Sequence, residues 1–287
     1  MKLGVSSYSF STYLAQTNAT YFDLCTLSKE IGFDAIEFID LDLRYGTGQK
    51  DLLTLAKDLK AHCGQIDLAI CAYTVGADFL SGSGGNPQKE VERLKKCIDI
   101  AKAMGSPLLR HDIAWGYTTT TKSYRDIIAF ALPYIRQVAD YGQENGLRTC
   151  TENHGYILQD AQRVEELILA VNHDNFGWLI DIGNFACADQ PSEVAVGIAA
   201  PYAFHVHAKD FLFKPGTAQA PGPSFFPTRG GNHLRGTVAG HGMIPLRQCV
   251  QIIKASGYEG YLSLEFEGME ETLPAIKEGF HYLKKLV

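Results

Sequence analysis

Short apolar segments alternate with longer amphipathic segments along the whole chain. The apolar segments have the length of buried strands, and the amphipathic segments repeat their apolar positions with the helical period of about 3.6 residues. This pattern predicts eight strands, at 3–7, 35–38, 67–72, 107–110, 148–152, 176–181, 203–207 and 261–265. It also predicts eight helices, at about 20–31, 51–63, 88–104, 123–145, 160–170, 193–199, 246–256 and 271–286.

Glycine marks the ends of several of these helices. Gly32, Gly105, Gly146 and Gly257 each follow a predicted helix and precede a strand, and glycine readily adopts the left-handed conformation that ends a helix. Eight such units with no linker between them favour a closed barrel over an open doubly wound sheet. The first strand–helix turn also lacks the GxGxxG of a dinucleotide-binding sheet. We therefore predict an α/β fold, a (β/α)8 TIM barrel in a single domain spanning 1–287.

One segment breaks the alternation. Residues 211–243, between the seventh strand and its helix, are rich in Gly, Pro, Phe and Arg. Connections longer than about 12–15 residues are usually functional, and this one follows the carboxyl end of a barrel strand, where barrel active sites lie. We predict a long active-site loop in which Arg229, Arg235 and His241 close over a substrate, with a dimer contact as the alternative.

Composition narrows the class of protein and of partner. The chain has 287 residues, 46% of them hydrophobic and 20% charged, with a formal net charge of -6. This acidic balance argues against nucleic acid or an anionic membrane as the main partner. Seven scattered cysteines without a CxxC pair are typical of a reducing cytosol. The N-terminus is interpreted as a strand rather than a signal peptide, and no stretch approaches the roughly 20 apolar residues of a membrane span, so we expect a cytoplasmic protein.

Ligand-type residues end four late strands: Glu152, Asp181, His207 and Glu265. Because strand side chains alternate with period two, these four form one layer at the barrel mouth if they point inward. Cys150, Leu179, His205 and Ser263 would then lie one layer below. Converging carboxylates repel each other unless a cation neutralises them, and three oxygens with one nitrogen suit Mn²⁺, with Mg²⁺, Co²⁺ or Zn²⁺ as alternatives. We predict one divalent metal ion per chain; the alternative is four unrelated, capped or solvated strand ends.

The order and spacing of four motifs resemble the sugar phosphate isomerase/epimerase superfamily of xylose isomerase-like TIM barrels, which includes the AP endonuclease 2-type domain. The motifs are Glu152-Asn153-His154, Asp181-Ile182-Gly183-Asn184, His205-Val206-His207-Ala208-Lys209-Asp210 and Glu265-Phe266-Glu267. The resemblance runs over the whole barrel. It implies metal binding by Glu152, Asp181, His207 and Glu265, and, as in the epimerases of the superfamily, an acid–base pair formed by Glu152 and Glu265.

The chain departs from that resemblance at one position. Many relatives carry His three residues after the strand-six Asp, where this chain has Asn184. The endonucleases use that His in a multi-zinc cluster, whereas an Asn side chain binds a hydroxyl well and zinc poorly. His111 matches one further endonuclease ligand, but the rest of the cluster is not visible in the sequence. A single metal ion is therefore favoured, with Asn184 as a substrate contact.

Further residues are predicted to contact the substrate. Lys209 is expected to polarise a carbonyl or enediolate oxygen, with a surface salt bridge as the alternative. Glu37 and His111 end the second and fourth strands and are candidate substrate contacts or hydrogen-bonded barrel residues. His154 either orients Glu152 or acts as a base. The candidate aromatic walls of the pocket, which are equally consistent with packing, are Trp115, Phe10 and Tyr73.

Together these residues predict a metal-dependent isomerase or epimerase that acts on a small carbohydrate through an enediolate, with Glu152 and Glu265 moving the proton. One alternative is a lyase that eliminates an aglycone or water from a 3-keto-glycoside. A phosphodiesterase of the AP endonuclease type would need more metal ligands and a basic groove. A non-catalytic binding barrel would have no need for two carboxylate bases. Relatives are often dimers or tetramers, so a homo-oligomer is expected.

Overall fold

A closed barrel of parallel strands forms the centre of the molecule, as a computed structural model of all 287 residues shows. The barrel strands are β1 (Lys2–Ser6), β2 (Ala35–Ile39), β3 (Ala69–Val75), β4 (Leu108–His111), β5 (Arg148–Glu152), β6 (Phe176–Asp181), β7 (Ala203–Ala208) and β11 (Tyr261–Leu264). Neighbouring strands follow one another in the chain, and the last pairs with the first to close the barrel. The prediction of a (β/α)8 TIM barrel is confirmed.

Helices surround the barrel. They are α1 (Ser11–Gln16), α2 (Tyr21–Ile31), α3 (Leu52–Gln65), α4 (Gly82–Gly85), α5 (Pro87–Met104), α6 (Tyr124–Glu144), α7 (Ala161–Val171), α8 (Ser192–Ala199), α9 (Leu246–Ala255) and α10 (Thr272–Leu283). The eight predicted helices are all present. The two that were not predicted, α1 and α4, are too short for a helical period to be read from the sequence. None of the helices combines the length and the apolar character needed to cross a membrane.

Local sequence signals account for several element boundaries. The four predicted glycine stops, Gly32, Gly105, Gly146 and Gly257, all have positive φ angles in the left-handed region. Asp67 also has a positive φ, of 53°, so it lies outside the strand conformation. For this reason β3 begins at residue 69 rather than at the predicted 67.

Packing inside the barrel determines which side chains reach its mouth. Ala72, Leu108, Cys150 and Leu179 form a small buried apolar cluster, separate from the larger core between barrel and helices. Since strand side chains alternate, the residue two positions after each member faces the same interior, one layer nearer the carboxyl ends of the strands. The barrel interior is therefore apolar below and becomes polar towards the mouth.

The predicted loop 211–243 contains a sheet of its own. Strands β8 (Asp210–Lys214), β9 (Phe226–Pro227) and β10 (His233–Thr237) form a three-stranded antiparallel sheet in the order β8-β10-β9. The Asp210 carboxylate accepts hydrogen bonds from the backbone N–H groups of Gly240, Gly242 and Ile244, which holds the connection to α9. The description of this segment as one long loop is thus corrected. Its strands were missed because they are short, with two to five residues each.

Candidate metal centre and active site

Four buried side chains converge at the carboxyl ends of the late strands. Glu152 and Asp181 end β5 and β6, His207 lies near the end of β7, and Glu265 follows β11. Asp181 and His207 are register partners across β6 and β7, which places them at the same height. One ligand atom from each of the four lies within 4.8 Å of those from the others. These residues are therefore close enough together to share a single ion.

Three of these side chains have a buried atom without a hydrogen-bond partner: Asp181 Oδ2, His207 Nδ1 and Glu265 Oε2. The Lys209 ammonium group lies 2.8 Å from Glu265 Oε2 and 3.3 Å from Asp181 Oδ2, but off the direction of a hydrogen bond. Buried polar atoms nearly always have hydrogen-bond partners, so three buried atoms that lack one and face one another require an explanation. Two carboxylate oxygens and an imidazole nitrogen fit a divalent metal ion.

The charge balance of the site fits a further cation. Burial raises the pKa of Asp181 to about 7; Lys209 opposes this rise, and the Glu265 and Glu152 carboxylates add to it. Burial also disfavours ionisation of Glu265, but Lys209 and His207 outweigh burial and hold the pKa of Glu265 well below its ordinary value. The positive groups present thus stabilise one carboxylate and leave another partly uncompensated. A divalent ion would supply the missing positive charge.

Glu37 orients His207 from below. The His207 Nε2 atom lies 2.8 Å from Glu37 Oε2, and because an ionised carboxylate can only accept, Nε2 donates the proton. The other ring nitrogen, Nδ1, then faces the centre formed by the four ligand-type residues. A ligating histidine held by a carboxylate through its second nitrogen is a common arrangement in metal sites. Burial opposes charging of His207, but Glu37 and Glu265 outweigh it and raise the pKa of this histidine well above its ordinary value, so a proton and a metal ion compete for Nδ1.

A second group of possible ligands, Glu37, His205 and His207, lies directly underneath. Here the polar atoms are already paired: His205 Nε2 lies 2.9 Å from Ser263 Oγ and 3.1 Å from Glu37 Oε2. Glu37 also accepts a hydrogen bond of 2.7 Å from Thr74 Oγ1. This lower group therefore fits a hydrogen-bonded scaffold better than it fits a metal site.

Arg110 and Asp112 belong to the site and were not predicted. Arg110 Nη2 lies 2.9 Å from Glu152 Oε2 and 2.6 Å from Asp112 Oδ1, and all three side chains are buried. His154 Nδ1 lies 3.1 Å from Asp112 Oδ1 and 3.0 Å from Arg110 Nη2. This network holds both Glu152 and His154. Arg110 lies two residues after Leu108 on β4, so both side chains face the barrel interior. This spacing could have identified Arg110 from the sequence.

A polar cavity of about 240 Å³ opens above the four-residue centre. Two predicted substrate contacts, Lys209 and His154, line it, together with Tyr8, Trp115 and Glu267. Of the predicted aromatic walls, Trp115 is present, whereas Phe10 and Tyr73 are buried in the core instead.

Asn184 lies beside the centre, where its Nδ2 atom donates to Glu152 Oε1 at 2.9 Å. The backbone N–H groups of Gly183 and Asn184 also donate to Asp181 Oδ1. A Cβ on Gly183 would lie 2.7 Å from the Lys209 carbonyl oxygen, so this close approach requires glycine. The segment after β6 therefore positions Glu152 and Asp181, two of the three carboxylates of the centre.

Two of the expected substrate contacts on early strands do not reach the cavity. His111 has the opposite parity to Arg110 and points out of the barrel, where its ring lies 5.8 Å from that of Phe79 and 6.0 Å from that of Phe176. Glu37 is completely buried beneath His207. The structure corrects both expectations, because barrel parity and depth exclude contact with a substrate at the mouth.

The expected contacts from the small sheet and its connection also lie elsewhere. Arg235 packs over the ring of Phe225 and lies 3.6 Å from Glu270. His241 lies 3.6 Å from Glu278 of α10, on the outside of the barrel. Neither residue lines the polar cavity, so their prediction as substrate contacts is corrected as well. Arg229 donates to Asp160 and to the Tyr156 carbonyl oxygen instead of facing the cavity.

The fold and the converging strand ends define a TIM barrel with a candidate metal centre at its catalytic face. The chain belongs to the xylose isomerase-like TIM barrel family, whose sequence model matches residues 25–286. No curated protein matches the chain significantly in sequence.

Three solved structures share the fold over nearly their full lengths. D-psicose 3-epimerase from Clostridium cellulolyticum H10, solved with D-tagatose, is 15% identical with a TM-score of 0.75, over 100% of this chain and 99% of that one. The IOLI protein with a bound zinc atom is 17% identical with a TM-score of 0.76, over 100% and 98%. The probable 3-DHS dehydratase AsbF from Bacillus anthracis is 16% identical with a TM-score of 0.74, over 99% of each chain. At these identities the likeness establishes the fold.

Proposed function

We propose that the protein is a divalent-metal-dependent isomerase or epimerase of a sugar or sugar-like ketone, acting through an enediolate. The observation that carries this proposal is the set of three unpaired buried atoms on Asp181, His207 and Glu265, beside Glu152. Among proteins of the same fold, one is an epimerase solved with a ketose and another holds zinc. We propose Mn²⁺ as the ion from the oxygen-rich ligand set, with Mg²⁺, Co²⁺ and Zn²⁺ as the alternatives to be compared.

Glu152 and Glu265 are the proposed acid–base pair. A divalent ion held by the four residues would stabilise the negative charge that develops next to a substrate carbonyl. One carboxylate removes the proton from the carbon beside that carbonyl, and the other returns a proton to the opposite face, which inverts the centre. If the proton returns to the neighbouring carbon, the carbonyl moves instead. Both carboxylates line the polar cavity, which supports their access to a substrate.

Neighbouring side chains would hold the substrate and the two bases. The Lys209 ammonium group, 2.8 Å from Glu265, adds positive charge on the side of the cavity where an enediolate oxygen would lie. Arg110 and Asn184 hold the two carboxylate oxygens of Glu152. His154 borders the cavity and bonds to Asp112 through Nδ1, which leaves Nε2 for a substrate hydroxyl.

A lyase acting on a 3-keto-glycoside is the second candidate, favoured by the Asp112–His154 pair beside Glu152. In that reaction a carboxylate removes the proton next to the carbonyl, and the group on the following carbon leaves with its bonding electrons and takes up a proton. A histidine oriented by a carboxylate is a suitable donor of that proton. A phosphodiesterase of the endonuclease type is disfavoured, because His111 points away from the centre and Asn184 replaces a zinc ligand.

The remaining expectations accompany this proposal. We propose a small carbohydrate as the substrate, no nucleic-acid or membrane partner, a homo-oligomeric assembly and a cytoplasmic location. The net charge of -6 supports the absence of an anionic polymer as partner.

Solvent-deuterium exchange tests the chemistry directly. The metal-loaded protein is incubated in D₂O with ketoses, aldoses, inososes and 3-keto-glycosides, and the products are read by NMR. Deuterium at one carbon with inversion supports an epimerase, carbonyl migration supports an isomerase, and release of an aglycone supports the lyase. Turnover without deuterium in the product contradicts proton transfer by a carboxylate open to water.

Metal analysis tests the centre itself. We expect about one divalent ion per chain after loading with Mn²⁺ and loss of activity on chelation. A protein that binds no ion, and whose turnover survives chelation, contradicts the proposal. A ratio near three zinc ions per chain would instead favour the endonuclease chemistry.

A further inference from the structure

A second cavity of about 290 Å³ adjoins the polar cavity. The two share four lining residues, Trp115, His154, Lys209 and Glu267, and so form two lobes of one site. The second lobe is bordered mainly by the segment after β5 and by the small sheet. Its further lining residues are Gly155, Tyr156, Gln159, Asn184, Cys187, Phe211 and Phe226.

The two lobes differ in chemistry. Apart from the shared residues, the polar lobe is lined mainly by carboxylates and Arg110, whereas the second lobe adds three aromatic rings to that of Trp115 and so carries four. Two of these rings are open to solvent: the Trp115 residue is 49% exposed and Tyr156 is 45% exposed. Large aromatic side chains that remain exposed around a cavity mark binding sites, because their faces gain most from being covered by a flat apolar group.

Contacts with neighbouring segments hold two of the rings of the aromatic lobe, Tyr156 and Trp115, in place. Tyr156 is a non-glycine residue with a positive φ of 67°, a conformation that persists only where the surroundings enforce it. Its hydroxyl donates to the Pro227 carbonyl oxygen at 3.1 Å, and Arg229 donates to the Tyr156 carbonyl oxygen. The Trp115 ring contacts the His154 ring edge to face, with centroids 4.8 Å apart. A preformed aromatic surface costs little to organise when a ligand binds.

The size of the two lobes argues for one ligand that spans both. Cavities that bind small molecules usually have volumes of about 300–1,000 Å³. The polar lobe alone falls below that range, the second lobe lies at its lower limit, and the two together fall within it. His154 lies at their junction, because it lines both lobes.

We propose that the substrate is a sugar-like ring bearing a flat aromatic substituent, rather than a free monosaccharide. The polar lobe takes the sugar ring, the aromatic lobe takes the substituent between Trp115 and Tyr156, and the linking oxygen lies beside His154. The placement of the sugar ring rests on the proposed function. The assignment of the aromatic lobe rests on its own geometry.

Calorimetric binding of matched glycoside pairs tests this assignment without any turnover. The probes are the phenyl and methyl β-glycosides of D-glucose, D-galactose and D-xylose, and their 3-keto derivatives, added to the full-length protein loaded with Mn²⁺. We expect at least one phenyl compound to bind about ten-fold or more tightly than its methyl partner. If no phenyl compound binds more tightly than its methyl partner, the proposal is overturned.

Substitutions test whether the tighter binding of phenyl glycosides comes from the aromatic lobe. Trp115→Ala should remove most of the phenyl advantage, which is a loss of about ten-fold in the ratio of phenyl to methyl glycoside affinity. Tyr156→Ala should act in the same direction, and its folding is checked by thermal unfolding because the substitution removes the hydroxyl that donates to the Pro227 carbonyl oxygen. Tyr117→Ala is the matched control, because Tyr117 lies two residues from Trp115, is 51% exposed and lines neither lobe. A phenyl advantage that survives both Trp115→Ala and Tyr156→Ala contradicts the assignment.

The outcome separates this inference from the proposed function. If the protein binds no metal and exchanges no deuterium, but Trp115 still confers preference for phenyl glycosides, the aromatic lobe stands and the proposed chemistry fails. If simple ketoses exchange deuterium efficiently and no phenyl compound gains affinity, the proposed chemistry stands and the aromatic lobe fails.

Discussion

Two polar layers lie one above the other in the barrel, and they differ in how their polar atoms are paired. In the lower layer, Glu37, His205 and Ser263 bond to one another. In the upper layer, Asp181 and Glu265 each have a buried oxygen without a hydrogen-bond partner. His207 connects the layers, because its Nε2 atom bonds to Glu37 and its Nδ1 atom is unpaired.

The comparison shows that burial and polarity alone do not identify a functional site. Strand β7 contributes His205 to the lower layer and His207 to the upper one, and both are buried. A buried group whose partners are all present contributes to the stability of the barrel, whereas convergent unpaired atoms are available to bind a ligand. The upper layer is therefore the candidate centre and the lower layer its support.

The largest expected effect is on turnover, from the upper-layer carboxylates. Glu265→Gln and Glu152→Gln should each lower the rate by about 10²–10⁴-fold, because each removes a proposed general base. Metal content is measured on the same samples, since both residues are also proposed ligands. Glu278→Gln on α10 is the control, because that carboxylate lies on the outer surface and should leave the rate unchanged. Full activity in both upper-layer variants would contradict the acid–base assignment.

Substitution of each of the two β7 histidines tests the two layers separately. His207→Ala should lower metal affinity by more than about 100-fold, beyond the roughly 10–100-fold typical of a group that only supports a ligand. His205→Ala should keep the metal and lower the free energy of unfolding by about 1–3 kcal/mol, because Glu37 loses a buried donor. Metal titration and denaturant unfolding measure the two effects. If the metal is lost from His205→Ala but kept in His207→Ala, the ion lies in the lower layer.

Weakening the contact between the two layers should have an intermediate effect on metal affinity. Glu37→Gln should lower metal affinity by roughly 10–100-fold, because a neutral amide accepts from the two histidines more weakly than a carboxylate and holds His207 less firmly in its orientation. Ser263→Ala is the matched control, since its hydroxyl bonds to His205 and not to His207. The same metal titration compares the two variants. Equal losses would mean that the lower layer acts only through overall stability.

The smallest expected effect concerns the amide beside Glu152. Asn184→Ala removes a single hydrogen bond of 2.9 Å to Glu152 Oε1. Such a bond contributes about 1 kcal/mol, so kcat/KM should fall only about five-fold, with metal content unchanged. Steady-state kinetics on the metal-loaded protein measure the change. Loss of the metal would show that Asn184 acts as a ligand.

Much of the fold and part of the site followed from the sequence. The eight strands, the eight main helices and the glycine stops are periodic or local signals, and the structure contains all of them. The convergence of Glu152, Asp181, His207 and Glu265 followed from one rule, that residues at the ends of parallel barrel strands meet at one face. Their binding of a metal stays a prediction.

The site residues that were predicted wrongly from the sequence share one cause. His111 is predicted as a contact because it ends β4, but the apolar cluster around Leu108 shows that the side chains of Leu108 and Arg110 face the interior and that of His111 does not. Arg235 and His241 were assigned to the cavity because of their segment, whereas they pack against residues after β11 and on α10. The second lobe was also invisible, since Trp115 and Tyr156 come from different connections. Each of these features depends on contacts between distant parts of the chain.

The sequence by itself determined the order of strands and helices and the alternation of side chains along each strand, because both depend on neighbours a few residues apart. The tertiary structure decided how deep each polar side chain lies in the barrel and which partners it bonds to. The register between β2 and β3 shifts at Ile36 and Glu37, and Glu37 lies beneath His207 rather than at the mouth. Closure of the barrel brings Glu37 within 2.8 Å of a histidine 170 positions along the chain. No local pattern encodes that distance, because it depends on the stagger of all the strands around the ring.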